Sequence, residues 1–129
     1  MKIPLLLLTA FLFVSFGCES TSEKEVEKKF DTKDAKVTFI ELGSVRCIPC
    51  KQMQPVMDSL EEKYGDQIQI VFYDVWNPEE RHYGQVYDIK LIPTQVFLDE
   101  NGAEFHRHEG FYPEAEIDKI LQSQGLTIN

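Results

Sequence analysis

Two cysteines lie where a predicted strand passes into a predicted helix, and the elements on either side of this junction indicate the fold class. Residues 37–42 (VTFIEL) form a nearly continuous apolar run, the pattern of a strand that is covered on both faces. After the cysteines, apolar side chains recur at helical spacing from Met53 until Gly65 stops the helix. A buried strand followed at once by a helix favours an α/β fold.

Further along the chain, the pattern predicts three more strands and two more helices. Residues 68–75 (IQIVFYDV) form a second buried strand, and a loop with a short helix follows across residues 77–87. Residues 94–98 and 103–108 flank an Asp-Glu-Asn-Gly turn, which is a hairpin signal, and Pro113 opens a last helix. We therefore expect a mixed sheet in which the hairpin adds an antiparallel edge and helices cover both faces.

The N-terminal segment has a different character from the rest of the chain. Residues 1–17 are nearly all apolar but too few to span a bilayer as a helix, which predicts a signal peptide. Cys18 follows a glycine, as in a bacterial lipoprotein signal, so cleavage would leave Cys18 as a lipid-modified N-terminus; an uncleaved membrane anchor is the alternative. Residues 18–36 are polar and predict a tether, and residues 37–129 form the predicted domain. We expect a location outside the cytoplasm, in a bacterial periplasm or at a cell surface.

Charge and cysteine count narrow the range of functions. The formal net charge of −9 argues against a nucleic-acid partner, because phosphates need a basic surface. The chain has three cysteines, and an odd number in an exported protein calls for an explanation. If Cys18 carries the lipid, Cys47 and Cys50 remain as one pair. Three interpretations of this pair are open: a redox couple, half of a metal site, or a chance arrangement.

The residues around this pair suit redox chemistry. Cys47 falls at the start of the helix, where free N–H groups and the helix dipole favour a thiolate, and Arg46 adds positive charge beside it. Cys50 lies one turn further in, where we expect it to be more buried and less ionised than an exposed Cys47. These positions predict Cys47 as the nucleophile and Cys50 as the resolving thiol, while Pro49 between them has no N–H to leave unsatisfied.

Several short motifs together resemble the thioredoxin family. Residues 47–51 (CIPCK) are similar to its active-site motif, and Pro55 falls where the family places a proline in the same helix. Residues 92–94 (IPT) are similar to its cis-proline loop, and Gly110 has a counterpart after the last strand. The resemblance covers about residues 37–121 and implies a thioredoxin-like fold with a minimal four-stranded sheet. It also implies a protein-disulfide oxidoreductase.

The resemblance also implies where partners bind. A cis-Pro93 would shape the substrate groove and let the Ile92 backbone pair with an extended peptide. Arg46, Ile48 and Pro49 would complete the substrate-binding surface around the couple. We expect a monomer that acts on protein thiols and disulfides, without metal and with no cofactor besides its own redox-active disulfide.

Glu41 is the one charged residue in the first apolar strand. The resemblance places it behind Cys50, where family members commonly carry an aspartate, and implies that it takes the proton of the resolving thiol. Burial of a carboxyl is costly and raises its pKa. The alternative is a side chain that bends to solvent at the end of the strand. Arg46 is a second departure from the family, because a tryptophan usually precedes the first cysteine.

Several functions fit the pair of cysteines. We expect a reductase of protein disulfides, because the Ile-Pro dipeptide lacks the histidine of many oxidising motifs. We expect a membrane electron-carrier protein to supply its electrons. An oxidant or isomerase of the same fold is one alternative, and a Cu(I)-binding metallochaperone is another. His106 and His108 share one strand face and are expected to be surface residues, with metal binding as the alternative. Tyr73 and Trp76 either pack or line a binding surface.

Overall fold

The computed structural model describes residues 35–129, and it contains four strands and three helices in that part of the chain. The strands and helices follow one another in the predicted order: β1 (Val37–Gly43), α1 (Ile48–Tyr64), β2 (Ile68–Asp74), α2 (Tyr83–Val86), β3 (Thr94–Asp99), β4 (Glu104–Glu109) and α3 (Glu114–Ser123). A short 3₁₀ turn, Gly65–Gln67, leads from α1 into β2.

The strands form one mixed sheet in the order β2-β1-β3-β4. β1 pairs in parallel with β2, and α1 makes the crossover between them. β3 is antiparallel to β1 and to β4, so the predicted hairpin does form an antiparallel edge. The predicted α/β, thioredoxin-like fold class with four strands is confirmed within the described part of the chain. β1 is central in the sheet and is buried on both faces along nearly its whole length, and this burial explains its continuous apolar run.

The main core lies between the sheet and the helices α1 and α3. Phe39 on β1 meets Phe97 on β3 edge to face, with ring centroids 4.9 Å apart. The helices add the following buried side chains: Met53, Val56, Met57, Leu60, Tyr64, Ile117 and Leu121. Burying a side chain of this size contributes roughly 1.5–3 kcal/mol, so this layer accounts for much of what holds the helices on the sheet.

One face of β1 points toward α1 and carries the residues that matter for the cysteines. Phe39 belongs to the core under α1, and alternation along a strand places Glu41 and Gly43 on the same face. A Cβ atom on Gly43 would lie 3.2 Å from both Cβ and Sγ of Cys50. A glycine at this position therefore lets the start of α1 approach β1 closely.

β4 forms one edge of the described sheet and is rich in charge (EFHRHE). The Arg107 guanidinium donates to Glu104 at 2.7 Å and 2.8 Å and to the Tyr87 carbonyl at 2.8 Å. The pairing of β3 with β4 is irregular between Phe97 and Leu98. The edge strand thus carries a network of charged side chains, and its pairing with β3 contains a register shift.

The predictions for the N-terminal segment fall almost wholly outside the described residues. The signal peptide, the lipid on Cys18 and nearly all of the tether belong to residues 1–34. The end of the tether is described, and its Lys36 amide donates to the Gln67 carbonyl at 2.9 Å. Between residues 35 and 129, no helix has both the length and the apolar character needed to cross a membrane.

Candidate active site

Cys47 and Cys50 form a disulfide at the start of α1, with their Cα atoms 5.3 Å apart. Cys47 is the N-cap residue of the helix and has an extended backbone, and its carbonyl accepts the Lys51 amide at 3.0 Å. The couple is therefore held between the end of β1 and the first turn of α1. The two predicted redox residues are together, as the motif requires.

The sequence of the motif explains this local geometry. Pro49 lies in the first turn, where a helix leaves amides without intrahelical partners, so its missing N–H costs nothing there. The Cys50 amide donates to Cys47 Sγ at 3.4 Å. After reduction, the same amide and the helix N-terminus would stabilise a Cys47 thiolate, because both present positive charge to it.

The predicted exposure of Cys47 is wrong for this oxidised state. Cys47 is 7% exposed and Cys50 is 3% exposed, so both are buried and differ little. The disulfide turns the Cys47 sulfur back over the first helical turn, against the Cys50 amide. The residues between the cysteines are exposed instead, with Ile48 at 74% and Pro49 also exposed. Exposure in the oxidised state therefore does not distinguish the two cysteines. A difference in reactivity between their thiols after reduction would come mainly from the position of Cys47 at the helix N-terminus.

Glu41 is fully buried, so the solvent-facing alternative is wrong. Burial raises the pKa of its carboxyl to about 8, and a hydrogen bond from the Gln95 side chain partly offsets that rise. Glu41 Oε1 has no hydrogen-bond partner in the described part of the chain. The carboxyl lies on the strand face that carries Gly43, which packs on Cys50. A carboxyl with this pKa can bind or release a proton near neutral pH, and it lies on the face of β1 that approaches Cys50.

Gln95 is a site residue that was not predicted from the sequence. It lies opposite Glu41 in the pairing of β1 with β3, and its side chain is fully buried. Its Nε2 donates to Glu41 Oε2 at 3.0 Å and to the Gly110 carbonyl at 3.1 Å. The available signal was a single amide directly before the apolar residues VFL, but its meaning depends on the strand pairing.

The Ile92–Pro93 peptide bond is cis, as the resemblance implied. Pro93 is buried and Ile92 is half-buried, at the entrance to β3. The Gly110 amide donates to the Pro93 carbonyl at 2.7 Å, so the segment after β4 is bonded to the proline loop. Gly110 has φ of +89°, a conformation that favours glycine.

Arg46, which precedes Cys47, lies on the surface together with Trp76 from the segment after β2. The Arg46 guanidinium carbon is 5.7 Å from the centroid of the Trp76 ring, a cation–π distance. Trp76 is about half exposed, whereas Tyr73 is fully buried and stacks on Tyr83 with centroids 3.6 Å apart. Of the two aromatic candidates, Tyr73 packs and Trp76 faces the surface.

A cleft of about 270 Å³ opens beside Cys50. It is lined by Ser44, Val45, Cys50, Lys51, Gln54 and Phe72. The cleft reaches the Cys50 side of the couple, although Cys50 itself is only 3% exposed.

His106 and His108 were predicted to be surface residues, but both are half-buried and both contact Tyr112. His106 Nε2 lies 3.0 Å from the Tyr112 hydroxyl, and the His108 ring stacks on the Tyr112 ring with centroids 3.8 Å apart. Within residues 35–129, no three His, Cys, Asp or Glu side chains gather in a way that could hold a metal ion. The two histidines hold Tyr112 against the sheet.

The fold and the couple together define a class of protein. A disulfide at the N-terminus of the first helix, a cis-proline before β3 and a buried carboxyl on the face of β1 that approaches the couple are together typical of a thiol–disulfide oxidoreductase. A family model described as a thioredoxin-like domain matches residues 23–125, and the chain belongs to that family.

Individual relatives agree with this assignment. The chain is 29% identical over 105 residues to the chloroplastic thioredoxin Y of Oryza sativa subsp. japonica, a match that covers 79% of this chain and 61% of the rice protein. It is 26% identical over 99 residues to the thioredoxin of Bacillus subtilis, covering 76% of this chain and 92% of that protein. The chain thus spans less than two thirds of the rice protein and nearly all of the bacterial one.

A solved thioredoxin structure has a similar fold. The germline-specific thioredoxin Deadhead of Drosophila melanogaster superposes with a TM-score of 0.64 at 26% identity. The superposition covers 76% of this chain and 90% of the fly protein.

Proposed function

We propose that this protein reduces disulfide bonds of other proteins outside the cytoplasm, with the Cys47–Cys50 dithiol as the electron donor. The observation that supports this most directly is the arrangement of the couple. Cys47 caps a helix and faces the Cys50 amide, and the buried acid Glu41 lies on the strand face behind Cys50.

The first step is attack by the Cys47 thiolate on one sulfur of a partner disulfide. A bond forms between Cys47 Sγ and that sulfur, the partner S–S bond breaks, and the second partner sulfur leaves as a thiolate that takes up a proton. The Cys50 amide and the helix N-terminus stabilise the attacking thiolate of Cys47, which is the species that reacts.

The second step releases the partner. Cys50 loses its proton to the Glu41 carboxylate and attacks Cys47 Sγ, which re-forms the Cys47–Cys50 disulfide and expels the remaining partner thiolate. Two electrons have then passed from the dithiol to the partner. The raised pKa of Glu41, about 8, suits a group that accepts a proton from a thiol near neutral pH.

The partner binds across the proline loop in this proposal. The Ile92 backbone pairs with an extended segment of the partner, and Pro93 shapes the floor beside the couple. Arg46, Ile48 and Pro49 are exposed around the couple and provide the rest of the contact surface. The exposed Ile48 side chain gives this surface an apolar centre.

The direction of electron flow is inferred from the residues between the cysteines. The Ile48-Pro49 dipeptide has no histidine of the kind that stabilises a thiolate in oxidising motifs. A less stabilised thiolate favours the disulfide form of the couple, which makes the dithiol a better electron donor. We assign the supply of electrons to a membrane electron-carrier protein, since the domain is proposed to be held at the membrane by lipid on Cys18.

Insulin reduction by the purified full-length chain tests the activity. Cys47→Ser should abolish reduction, Cys50→Ser should trap a mixed disulfide on Cys47, and Cys18→Ser should leave the rate unchanged as the matched control. A mixed disulfide trapped on Cys50 would reverse the roles. Bound copper with no turnover would favour metal delivery instead.

Equilibration with glutathione tests the direction. A reductase should have a reduction potential near about −270 mV, as measured for thioredoxin. A potential between about −120 and −180 mV would instead assign the protein to the oxidants or isomerases.

A further inference from the structure

Gln95 is a primary amide in the middle of a buried strand, where an amide is costly unless it is hydrogen-bonded. Its neighbours across the sheet are Glu41 on β1 and His108 on β4. The other inward residue of the strand, Phe97, belongs to the apolar core. Fold stability alone would favour an apolar side chain at position 95.

The two hydrogens of the Gln95 amide have separate acceptors. One goes to Glu41 Oε2 at 3.0 Å and the other to the Gly110 carbonyl at 3.1 Å. The amide oxygen, Gln95 Oε1, has no partner within residues 35–129. The side chain thus acts only as a donor at this site.

The Gly110 carbonyl fixes which end of the amide faces the acid. If the amide turned over, its oxygen would lie against the Gly110 carbonyl oxygen, and both atoms are acceptors only. Glu41 therefore always meets an N–H group from Gln95. A donor of this kind stabilises the carboxylate form, which is the form that can take a proton from Cys50.

Few other ionisable groups face Glu41 from the surrounding elements. α1 contributes Cys50, a thiol only in the reduced protein, and β2 contributes the uncharged Phe72 as the pairing partner of Glu41. β4 places His108 next to Gln95. Burial and the Gln95 amide are the two influences on the pKa of Glu41 in the oxidised protein.

We propose that Gln95 is a positioning residue that holds the Glu41 carboxyl ready to receive the proton of Cys50. The same amide bonds the acid to Gly110, whose own amide donates to the Pro93 carbonyl at 2.7 Å. Gln95 thereby links the proton acceptor to the loop on which the partner binds. This role rests on the proposed function of the couple.

The pKa of Glu41 in the oxidised full-length protein provides the first test. It is measured from the ¹³C carboxyl resonance during a pH titration, with Glu41→Gln used to assign the signal. Gln95→Met keeps the side-chain length but has no donor, and it should raise the pKa of Glu41 by about 1–2, the equivalent of one hydrogen bond to a charged group. Gln95→Asn, one methylene shorter, should raise it in the same direction.

Release of a mixed disulfide provides the second test, because a purely structural role would not change its pH profile. In the wild type, the rate of release by Cys50 should rise with pH as Glu41 ionises. In Gln95→Met the rise should move to a pH higher by about 1–2, so that release at pH 7 is slower by about tenfold or more.

Two control variants separate positioning from general damage and from the neighbouring histidine. Val96→Ala removes a fully buried side chain from the opposite face of the same strand, so it should lower the melting temperature without moving the pH profile. His108→Asn removes the titratable group beside Gln95 and should also leave the profile in place. A profile that moves in either control would overturn the assignment to Gln95.

The outcomes for Gln95 and for the proposed function can be told apart. If the wild type releases its partner with a pH dependence that Glu41→Gln abolishes, and both Gln95 variants leave the pKa of Glu41 unchanged, only the role of Gln95 is wrong. If the wild type reduces no disulfide at all, the proposed function is wrong and the role of Gln95 in turnover falls with it.

Discussion

Glu41 lowers the stability of the fold at the pH at which we propose that it works. Its pKa is about 8 in the folded protein, against 4.5 for an ordinary glutamate, because burial disfavours the charged form. Between pH 4.5 and about 8, the Glu41 carboxyl is ionised in the unfolded chain but protonated in the folded protein. The stability associated with this group is therefore fully present below about pH 4.5 and is lost as the pH rises to and through about 8.

Glu41→Gln should therefore stabilise the oxidised protein in a pH-dependent way. The gain in the free energy of unfolding should be small at pH 4 and reach roughly 3–5 kcal/mol at pH 8–9, because glutamine carries no charge to bury. Urea unfolding of the disulfide-bonded protein from pH 4 to 9 measures this. The exposed Glu100 in the hairpin turn provides the control, Glu100→Gln. A gain that is the same at every pH would contradict the buried, titrating carboxyl.

At the scale of elements, the close approach of β1 and α1 depends on Gly43. An added methyl group there would lie 3.2 Å from the Cys50 side chain and 3.4 Å from the Phe72 ring, and neither neighbour is a free surface group. Such overpacking typically costs about 1–3 kcal/mol.

Gly43→Ala should therefore lower the stability of the oxidised protein by about 1–3 kcal/mol and slow disulfide formation, since Cys50 must shift. Thermal unfolding and the rate of reoxidation by glutathione measure the two effects. Gly84→Ala is the matched control, because a methyl group there would make only ordinary contacts with Ile89 at 3.6 Å. Equal effects of the two substitutions would show that the approach of α1 is not limiting.

The helices α1 and α3 are joined at their outer faces by a small charged cluster. Lys63 forms ion pairs with Glu114 and Asp118, and Asp118 also accepts from the Tyr64 hydroxyl at 2.9 Å. These contacts raise the pKa of Lys63 above its ordinary value. The cluster fixes α3 on α1 over the core.

Lys63→Met should reduce the free energy of unfolding by about 0.5–1 kcal/mol, and the loss should shrink at high salt. Lys119→Met removes a more exposed ion pair within α3 and should have almost no effect. Urea unfolding at low and high salt compares the two. A larger loss for Lys119→Met would show that the α1–α3 cluster adds nothing.

The elements could be predicted from the sequence because their signals are local. Periodicity, glycine and proline gave all seven elements in order, and the resemblance supplied the cis bond before Pro93. The role of Gln95 could not be predicted, because it depends on the pairing of residue 95 with residue 41 across two strands distant in sequence. The burial of Cys47 was also missed, since it follows from how the disulfide folds back on the helix.

For the whole molecule, the proposed attachment to a membrane sets where the domain acts. The mature protein should begin at Cys18 and partition into the detergent phase, with added mass from acyl chains. Cys18→Ser should move the protein to the aqueous phase while the Cys47–Cys50 couple stays active. Intact mass spectrometry decides the matter: residues 1–17 still attached would indicate an uncleaved anchor, and a mature chain with a free Cys18 would remove the lipid from the proposal.

The charged edge strand β4 has a consequence for how copies of the protein behave when they are crowded. An unprotected sheet edge is a template for a strand from another molecule, and crowding at the membrane to which we propose the domain is attached would bring such edges together repeatedly. On β4, the Arg107–Glu104 network and the register shift in its pairing with β3 oppose that addition. The β4 edge is therefore a poor template for the growth of a fibril, even where copies of the domain are concentrated.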